Sequence, residues 1–346
     1  MQMLADRVDF VIGVDCHKDS NTAAIADRLG GLLTHMAAPT NECGYADQLK
    51  WACKLAPGRR VWAVEGSGSF GAGVTDYLLQ NGEWVVEVDR PKRSARKAGV
   101  KSDEVDALRA ARDALSSKRL AEPRQRGPLE AIRVLKSSRK QTINVYAEAV
   151  VQLKALVVSA PHGLRDKLRD LSAKELLATC SVMRDQPSQS IDWQATTRAM
   201  RTTARRALSA LADAAELESQ LAELVKTQAP AGLLAEKGVG NVVGAELLCA
   251  WSHRNRLHSE AAFAKLAGVA PVEASSGQVV RHRLSRSGDR QLNSALRTVV
   301  MTRLASDPRT KQYLTRRRAE GKSDREIQRC LKRYVARHLF RVMEAG

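Results

Sequence analysis

Short apolar runs separated by polar turns fill the first part of the chain and predict a β-sheet. Residues 8–15, 21–26 and 32–37 have the length and apolar content of buried strands, with Gly30 and Gly31 as a turn between the last two. Residues 60–65 and 84–88 are typical of two further strands. The first three runs follow one another closely, which predicts a meander of adjacent strands.

Helical patterns lie between the later strands. The spacing of Tyr45, Leu49 and Cys53 after Asn41 predicts a capped helix over about 41–54, and a second helix ends near Gln80. Three strands followed by alternating helix and strand is the order of a ribonuclease H-like (RuvC-like) domain. Residues 1–118 are therefore predicted to form an α/β domain of this fold.

The middle of the chain has helical spacing. Helices are predicted over 100–115 and 129–158, and Arg139 and Thr142 interrupt the apolar face of the second. A cleaner three-four repeat follows at Ala207, Ala210, Ala214, Leu217, Leu221 and Leu224. Residues 119–226 are predicted to form a long, coiled-coil-like arm of two antiparallel helices, suited to dimerisation.

Residues 227–346 are predicted to form a mainly helical C-terminal domain. Gly238 and Gly240 precede an apolar run, a pattern typical of a helix-hairpin-helix-like element whose backbone amides face a phosphate. An ordinary helix start after two glycines gives the same pattern. A polar loop near 273–278 and an arginine-rich helical block follow.

The charge balance of the chain indicates what kind of molecule the protein binds. There are 56 Lys and Arg against 38 Asp and Glu, a formal charge of +18, and residues 281–346 carry 18 of the former and 6 of the latter. Such a basic surface favours nucleic acid, although a charge run is also compatible with a solvated surface. Binding of this kind weakens as salt rises. With 4% aromatic residues, base stacking is not the expected mode.

Other classes are disfavoured by composition. No run of 18 apolar residues is present, so no membrane span is expected. The first residues lack the pattern of a signal or transit peptide. Six scattered cysteines without a CxxC pair predict reduced thiols. We expect a cytoplasmic, nucleoid-associated protein.

Four carboxylates predict a metal site. Asp15 and Glu65 end two strands that a ribonuclease H-like sheet places side by side, and Asp103 and Asp106 share one face of the next helix. Hard oxygen donors of this kind hold one or two magnesium ions (Mg²⁺) in phosphoryl transfer. Each acid also has an ordinary explanation: Asp106 as a partner of Arg109, and Asp15 as a turn cap.

A glycine motif offers a remote alternative. Residues 66–71 fit G-x-G-x-x-G after a strand, and Glu87 lies where a ribose-binding acid belongs in a nicotinamide-dinucleotide-binding enzyme. The motif follows the fourth strand instead of opening the fold, and an acid precedes it. That enzyme class would also leave the basic C-terminal region without a purpose.

Two serines are candidate nucleophiles. Ser275 and Ser276 stand before Gly277, ahead of four arginines that can stabilise charge on a phosphate: Arg281, Arg283, Arg286 and Arg290. Without that context, Ser-Ser-Gly is simply a turn.

Several of these motifs together resemble one family. Residues 14–18 (Val-Asp-Cys-His-Lys), 64–68 (Val-Glu-Gly-Ser-Gly) and 101–107 (Lys-Ser-Asp-Glu-Val-Asp-Ala) resemble the N-terminal motifs of the "IS one-ten" family of insertion-sequence transposases. Residues 261–277 are similar to the family's serine-bearing segment, and 326–337 to its closing basic helix. The resemblance runs from about residue 10 to 339. One departure is that Lys237 and Asn241 replace the prolines of the family's usual hairpin.

The resemblance implies a bridge-RNA-guided recombinase with a DEDD-type RuvC-like domain. Asp15, Glu65, Asp103 and Asp106 would bind Mg²⁺, and Ser276, with Ser275 as the second choice, would attack DNA and form a phosphoserine. The expected partners are donor and target DNA, a structured non-coding bridge RNA and further copies of the chain in a dimer or tetramer, with active sites shared between subunits. Nucleic-acid contacts are expected at Gly238, Gly240, Arg281, Arg283, Arg286, Arg290, Lys332 and Arg333.

Two other classes remain open. A metal-only RuvC-like nuclease or Holliday-junction resolvase would use the four acids without Ser276. A non-catalytic RNA-binding protein would need only the basic C-terminal region.

Overall fold

A computed structural model of the chain divides into two compact units, Met1–Arg126 and Gly127–Gly346. It describes residues 3–88, 102–117, 120–123, 126–253, 256–273, 285 and 287–345, together with the backbone of 282 and 283. Among these residues, no helix combines the length and apolar character needed to cross a membrane.

A five-stranded sheet forms the centre of the first unit. Its order is β3-β2-β1-β4-β5, in which β2 is antiparallel to both β1 and β3, and β4 and β5 run parallel to β1. The strand bounds confirm the five predicted strands to within about two residues: β1 Phe10–Cys16, β2 Ser20–Asp27, β3 Leu32–Pro39, β4 Arg60–Glu65 and β5 Val85–Val88.

Among the described residues of this unit, three helices cover the two faces of the sheet. They are α1 Glu42–Leu55, α2 Ala72–Gln80 and α3 Asp103–Ser116, with a short 3-10 turn at Leu4–Asp6. The predicted Asn41 cap is confirmed, since its side chain accepts a hydrogen bond from the Gly44 amide at 2.9 Å. The core with α1 and α2 contains Trp62, while α3 packs in the core on the opposite face.

Helix α3 lies unusually close to β1. A Cβ atom at Gly13 would overlap the Ala107 carbonyl oxygen and lie 2.6 Å from the Ala111 amide nitrogen. The helix meets the sheet through small, buried side chains: Ala107, Ala110, Ala111 and Ala114. Only glycine at position 13 and alanines opposite it permit this backbone-to-backbone approach.

Nine helices and a two-stranded ladder are described in the second unit. The helices are α4 Pro128–Ser159, α5 His162–Leu168, α6 Ala173–Ser181, α7 Ile191–Gln228, α8 Asn241–Trp251, α9 Glu260–Leu266, α10 Arg290–Ser306, α11 Pro308–Ala319 and α12 Asp324–Ala345. Strands β6 Val272–Glu273 and β7 His282–Arg283 pair antiparallel.

The long helices α4 and α7 pack antiparallel. Leu153 near the end of α4 shares a core with Met200 near the start of α7, whereas Ile132 at the start of α4 shares one with Leu221 near the end of α7. Arg139, the interruption in the predicted apolar face, donates from Nε to Glu218 on α7 at 2.8 Å. An ion pair across the seam thus explains a charged residue at an inward position.

The base of this helix pair continues into one core with α8, α9, α10 and α12. The structure differs from the predicted helix-hairpin-helix at its first helix, because residues 231–238 form turns. Gly232 and Gly238 there have φ angles of +84° and +90°. Left-handed backbone at both positions is incompatible with a regular α-helix over these residues, which lie between the end of α7 and the start of α8.

A buried ion pair fixes α4 against α8. Lys136 Nζ lies 2.9 Å from Glu246 Oε2, and the two side chains are only 14% and 9% exposed. Removing one partner of such a pair leaves an uncompensated buried charge.

We predict that Glu246→Ala lowers the free energy of unfolding by about 3–5 kcal/mol, since Lys136 loses its partner in a dry setting. Urea unfolding followed by circular dichroism measures the loss. The control is Glu218→Ala, which breaks a pair whose carboxylate is 45% exposed and should cost about 1 kcal/mol or less. Equal losses in the two variants would contradict the account.

Candidate metal centre

Two carboxylates meet at one edge of the sheet. Strands β1 and β4 are parallel with Val14 opposite Val64, so the next residues, Asp15 and Glu65, end neighbouring strands side by side. Their side chains are only 15% and 17% exposed. The predicted juxtaposition of these two acids is therefore present.

The first turn of α3 supplies two more carboxylates. Ser102 caps the helix by accepting a hydrogen bond from the Val105 amide at 3.3 Å. Asp103 and Asp106 are the first and fourth residues of α3. The Asp103 side chain is about half exposed. Acids at a helix N-terminus also interact favourably with the helix dipole.

A histidine lies between Asp15 on β1 and Asp103 on α3. His17 Nε2 lies 3.1 Å from Asp15 Oδ2 and 3.4 Å from Asp103 Oδ1, and one ligand atom from each residue fits within a 4.8 Å group. Sequence reasoning did not select His17 as a site residue. The sequence signal that could have found it is the spacing of two residues between Asp15 and His17, because residues i and i+2 of an extended segment point to the same side.

Arg109 connects the other two acids. Its guanidinium lies 2.6 Å from Asp106 Oδ1 and 3.9 Å from Glu65 Oε2. The ordinary explanation of Asp106 as a partner of Arg109 is thus confirmed, and the same arginine also reaches Glu65. The four acids consequently divide into Asp15 with Asp103 around His17, and Glu65 with Asp106 around Arg109.

Burial and like charges raise the pKa values of two groups at this edge. Burial raises the pKa of the Asp15 carboxyl above 3.8, Asp106 and Asp103 raise it further, and His17 opposes the shift. Burial, followed by Asp15 and Glu65, raises the pKa of the neighbouring Cys16 thiol to about 12. Burial is the largest cause of both pKa shifts, and the neighbouring carboxylates add to it.

The donor set fits a divalent cation. Carboxylate oxygens are the ligands that Mg²⁺ and Mn²⁺ share, and imidazole nitrogen is also accepted by first-row divalent metals. Burial is the main cause of the raised Asp15 pKa, and a cation at Asp15 and Asp103 would favour the charged carboxylate and relieve the added repulsion from the neighbouring acids.

The glycine turn that suggested a dinucleotide site packs against this edge. Gly66 has a φ of +70°, and a Cβ at Gly71 would lie 2.8 Å from Val64 Cγ1 and 3.2 Å from Cys16 Sγ. The glycines thus allow the turn to fold closely over β1 and β4, a packing reason for the motif.

The predicted nucleophiles lie outside the described residues. Ser275, Ser276, Arg281 and Arg286 are in this group, and Arg283 is described only by its backbone in β7. The β6–β7 ladder pairs Glu273 with His282, which brings together the two ends of the segment that contains both serines.

The predicted nucleic-acid contacts of the second unit differ in setting. Arg290 and Arg333 are exposed, whereas Lys332 is half-buried and donates to Asn293 Oδ1 at 2.8 Å. Burial, followed by Arg297 and Arg329, lowers the Lys332 pKa.

The two predicted hairpin glycines also have different surroundings. A Cβ at Gly238 would lie 3.0 Å from Val299 Cα, so this glycine serves close packing on α10. Gly240, immediately before α8, has open space in front of it.

Two protein-family models match the sequence. The model described as "Transposase IS116/IS110/IS902 family" matches residues 232–315, and the DEDD transposase model of IS110 elements, described as "Transposase", matches residues 12–160. The second span contains all four acids, and the first contains both serines. No curated protein matches the chain.

These matches, on an α/β unit with a clustered acidic edge, define the class: the protein is a transposase, an enzyme that acts on DNA. The chain belongs to the IS110 family of insertion-sequence transposases. A DEDD transposase domain uses divalent metal ions, in agreement with the donor set at Asp15, His17 and Asp103.

We predict that Asp15→Asn raises the melting temperature of the metal-free protein by about 3 °C near pH 7. Asparagine keeps the size of the side chain and removes a charge that burial disfavours. Because the folded-state pKa of Asp15 lies above 3.8, folding favours its protonated form, and the wild type regains this stability as pH falls. The difference between the two proteins should vanish below about pH 4.

Thermal melts in chelator across this pH range provide the measurement. Asp19→Asn is the matched control, since Asp19 is exposed on the adjacent turn. A lower melting temperature for Asp15→Asn, or a difference independent of pH, would contradict the prediction.

Proposed function

We propose that this transposase is the recombinase of its insertion sequence, which cuts and rejoins donor and target DNA under the guidance of a structured bridge RNA. The observation that carries the proposal is the acidic edge, where carboxylates from two strand ends meet two from a helix start. That arrangement falls within the DEDD transposase match.

The topology supports a RuvC-like, ribonuclease H-like assignment of the first unit. Three antiparallel strands precede two parallel ones, and the acids stand at β1, β4 and the start of α3. In this proposal residues 1–118 are the RuvC-like domain, 119–226 the arm and 227–346 the basic transposase domain.

The acids would hold Mg²⁺: Asp15, Glu65, Asp103 and Asp106. When bound, the metal neutralises charge that develops on phosphate oxygens. Arg109 orients Glu65 and Asp106 through its guanidinium and supplies a fixed positive charge beside them. His17 holds Asp15 and Asp103 in reach of each other.

The proposed chemistry is a reversible transfer to serine. The Ser276 oxygen attacks a DNA phosphorus, an oxygen–phosphorus bond to serine forms, and the bond from that phosphorus to a deoxyribose oxygen breaks. The serine proton passes to water, and the departing deoxyribose oxygen takes up a proton from water, so the protons balance. Attack by a deoxyribose hydroxyl of a second strand reverses these steps and releases the serine, so no external energy source is needed.

Basic residues near the serine segment would bind the phosphates. Arg281, Arg283, Arg286 and Arg290 follow the serines in sequence, and Arg290 and Arg333 are exposed. Lys332 Nζ donates a hydrogen bond to Asn293 near the start of α10. Asn293 lies close in sequence to these arginines. Gly240 leaves open space before α8 for a phosphate.

Apolar side chains exposed on the arm support assembly into a dimer or tetramer. Those on α4 and α7 are Val134, Val151, Val158, Ile191, Leu208 and Leu211. In this proposal they contribute to a contact between subunits, since exposed apolar patches mark protein–protein interfaces. In such an assembly the acids of one subunit would act with the serine of another.

We predict that the wild-type protein, incubated with Mg²⁺, the RNA flanking its element and labelled donor DNA, forms a labelled protein band that survives denaturation. A phosphoserine bond is covalent and persists on a denaturing gel. The band should vanish in Ser276→Ala and persist in Ser275→Ala, the matched neighbour.

Loss of the band in Ser275→Ala alone would move the nucleophile to Ser275. Free cut DNA without any adduct would contradict the phosphoserine step and support a metal-only nuclease. Omitting the RNA separates guidance from chemistry, since a guided recombinase should lose cutting at the donor sequence.

A further inference from the structure

His17 adds a nitrogen donor to the acidic edge, the end of the sheet where Asp15, Glu65, Asp103 and Asp106 lie. His17 Nε2 faces both Asp15 Oδ2 and Asp103 Oδ1, at 3.1 and 3.4 Å. Adjacent ligands of an octahedral ion bound at about 2.1 Å lie about 3.0 Å apart. The two distances from His17 Nε2 are therefore close to those between neighbouring ligands of one ion, and all three atoms lie within 4.8 Å of one another.

The backbone around His17 is fixed. Its amide donates to the Ser20 carbonyl at 3.0 Å, and its carbonyl accepts from Thr40 Oγ1 at 3.2 Å. These bonds tie the end of β1 to the start of β2 and to the segment after β3. A ligand on such a support keeps its direction without an ion.

The charged groups around Asp15 and Asp103 favour a bound cation in this part of the site. Arg109 contacts Glu65 and Asp106. Among the described residues, neither Asp15 nor Asp103 forms an ion pair with a lysine or arginine, and His17 is their common partner. A ring nitrogen carries at most one hydrogen, which cannot satisfy two carboxylates at once.

We propose that His17 is a direct ligand of the divalent ion, together with Asp15 and Asp103. This inference rests on the proposed metal function of the acids and adds a ligand to it. Two carboxylates and one imidazole form a set that suits Mn²⁺ better than Mg²⁺, because nitrogen donors favour first-row transition metals. The centre therefore binds Mn²⁺ more tightly than Mg²⁺.

The test uses Mn²⁺ as the probe and the full chain as the protein. Electron spin echo spectroscopy of bound Mn²⁺ detects coupling to ¹⁴N when an imidazole is a ligand. The wild type should show this coupling. His17→Gln should lose it and weaken Mn²⁺ binding on the order of tenfold or more, as losing a ligand or its support does.

His35→Gln is the matched control. His35 lies on β3, is similarly exposed, and contacts Glu104, the neighbour of Asp103, at 3.1 Å. This variant should keep both the nitrogen coupling and the Mn²⁺ affinity. Circular dichroism establishes that both variants fold.

The outcomes separate the inference from the proposed function. Mn²⁺ that binds to the wild type without nitrogen coupling, or a coupling that survives in His17→Gln, overturns the role of His17 and leaves the acid site intact. Binding unaffected by Asp15→Asn contradicts the acid site itself, and with it this inference. Mg²⁺ binding as tight as Mn²⁺ binding would also count against the imidazole ligand.

Discussion

The close approach of α3 to β1 is the constraint on which the acidic edge depends. Because Gly13 has no side chain, the backbone of α3 rests directly on the strand at Ala107 and Ala111. That contact sets the distance between the start of the helix and the end of the strand. Asp103 can then face Asp15 through His17, and Asp106 can reach Glu65 through Arg109.

Gathering four acids at one edge opposes folding, and the structure offsets the cost locally. Arg109 offsets part of the charge of Glu65 and Asp106, the cap at Ser102 satisfies an amide of the first turn, and His17 lies between Asp15 and Asp103. Burial raises the pKa of Asp15, and the nearby carboxylates of Asp106 and Asp103 raise it further, so the charged form of Asp15 stays disfavoured. Functional sites commonly retain such unfavourable charge because the ligand supplies the missing counter-charge.

Local sequence patterns were sufficient for most of the sheet and for the placement of the acids. Strand-ending carboxylates are visible as apolar runs that stop at Asp15 and Glu65, and the helical period places Asp103 and Asp106 on one face. These features follow from spacing along the chain. The class of protein, expected from combined motifs, is confirmed by the family matches.

Features set by tertiary packing were less accessible to sequence reasoning. The role of His17 depends on the meeting of β1 with α3, which no local pattern specifies. Glycine at 238 indicated a helical hairpin, but its left-handed backbone packs a turn on α10. Arg139 interrupted an apolar repeat because its partner, Glu218, lies on the other long helix.

The most direct test of this account is the Mn²⁺ affinity of Gly13→Ala, measured by calorimetry beside Gly240→Ala, whose added Cβ meets no atom within 4 Å. The added methyl group at position 13 pushes α3 away from β1 and separates Asp103 from Asp15. We predict that Gly13→Ala retains helical and strand signal but binds Mn²⁺ on the order of tenfold more weakly, while Gly240→Ala binds normally. Unchanged affinity in a folded Gly13→Ala protein would contradict the claim that this contact assembles the metal centre.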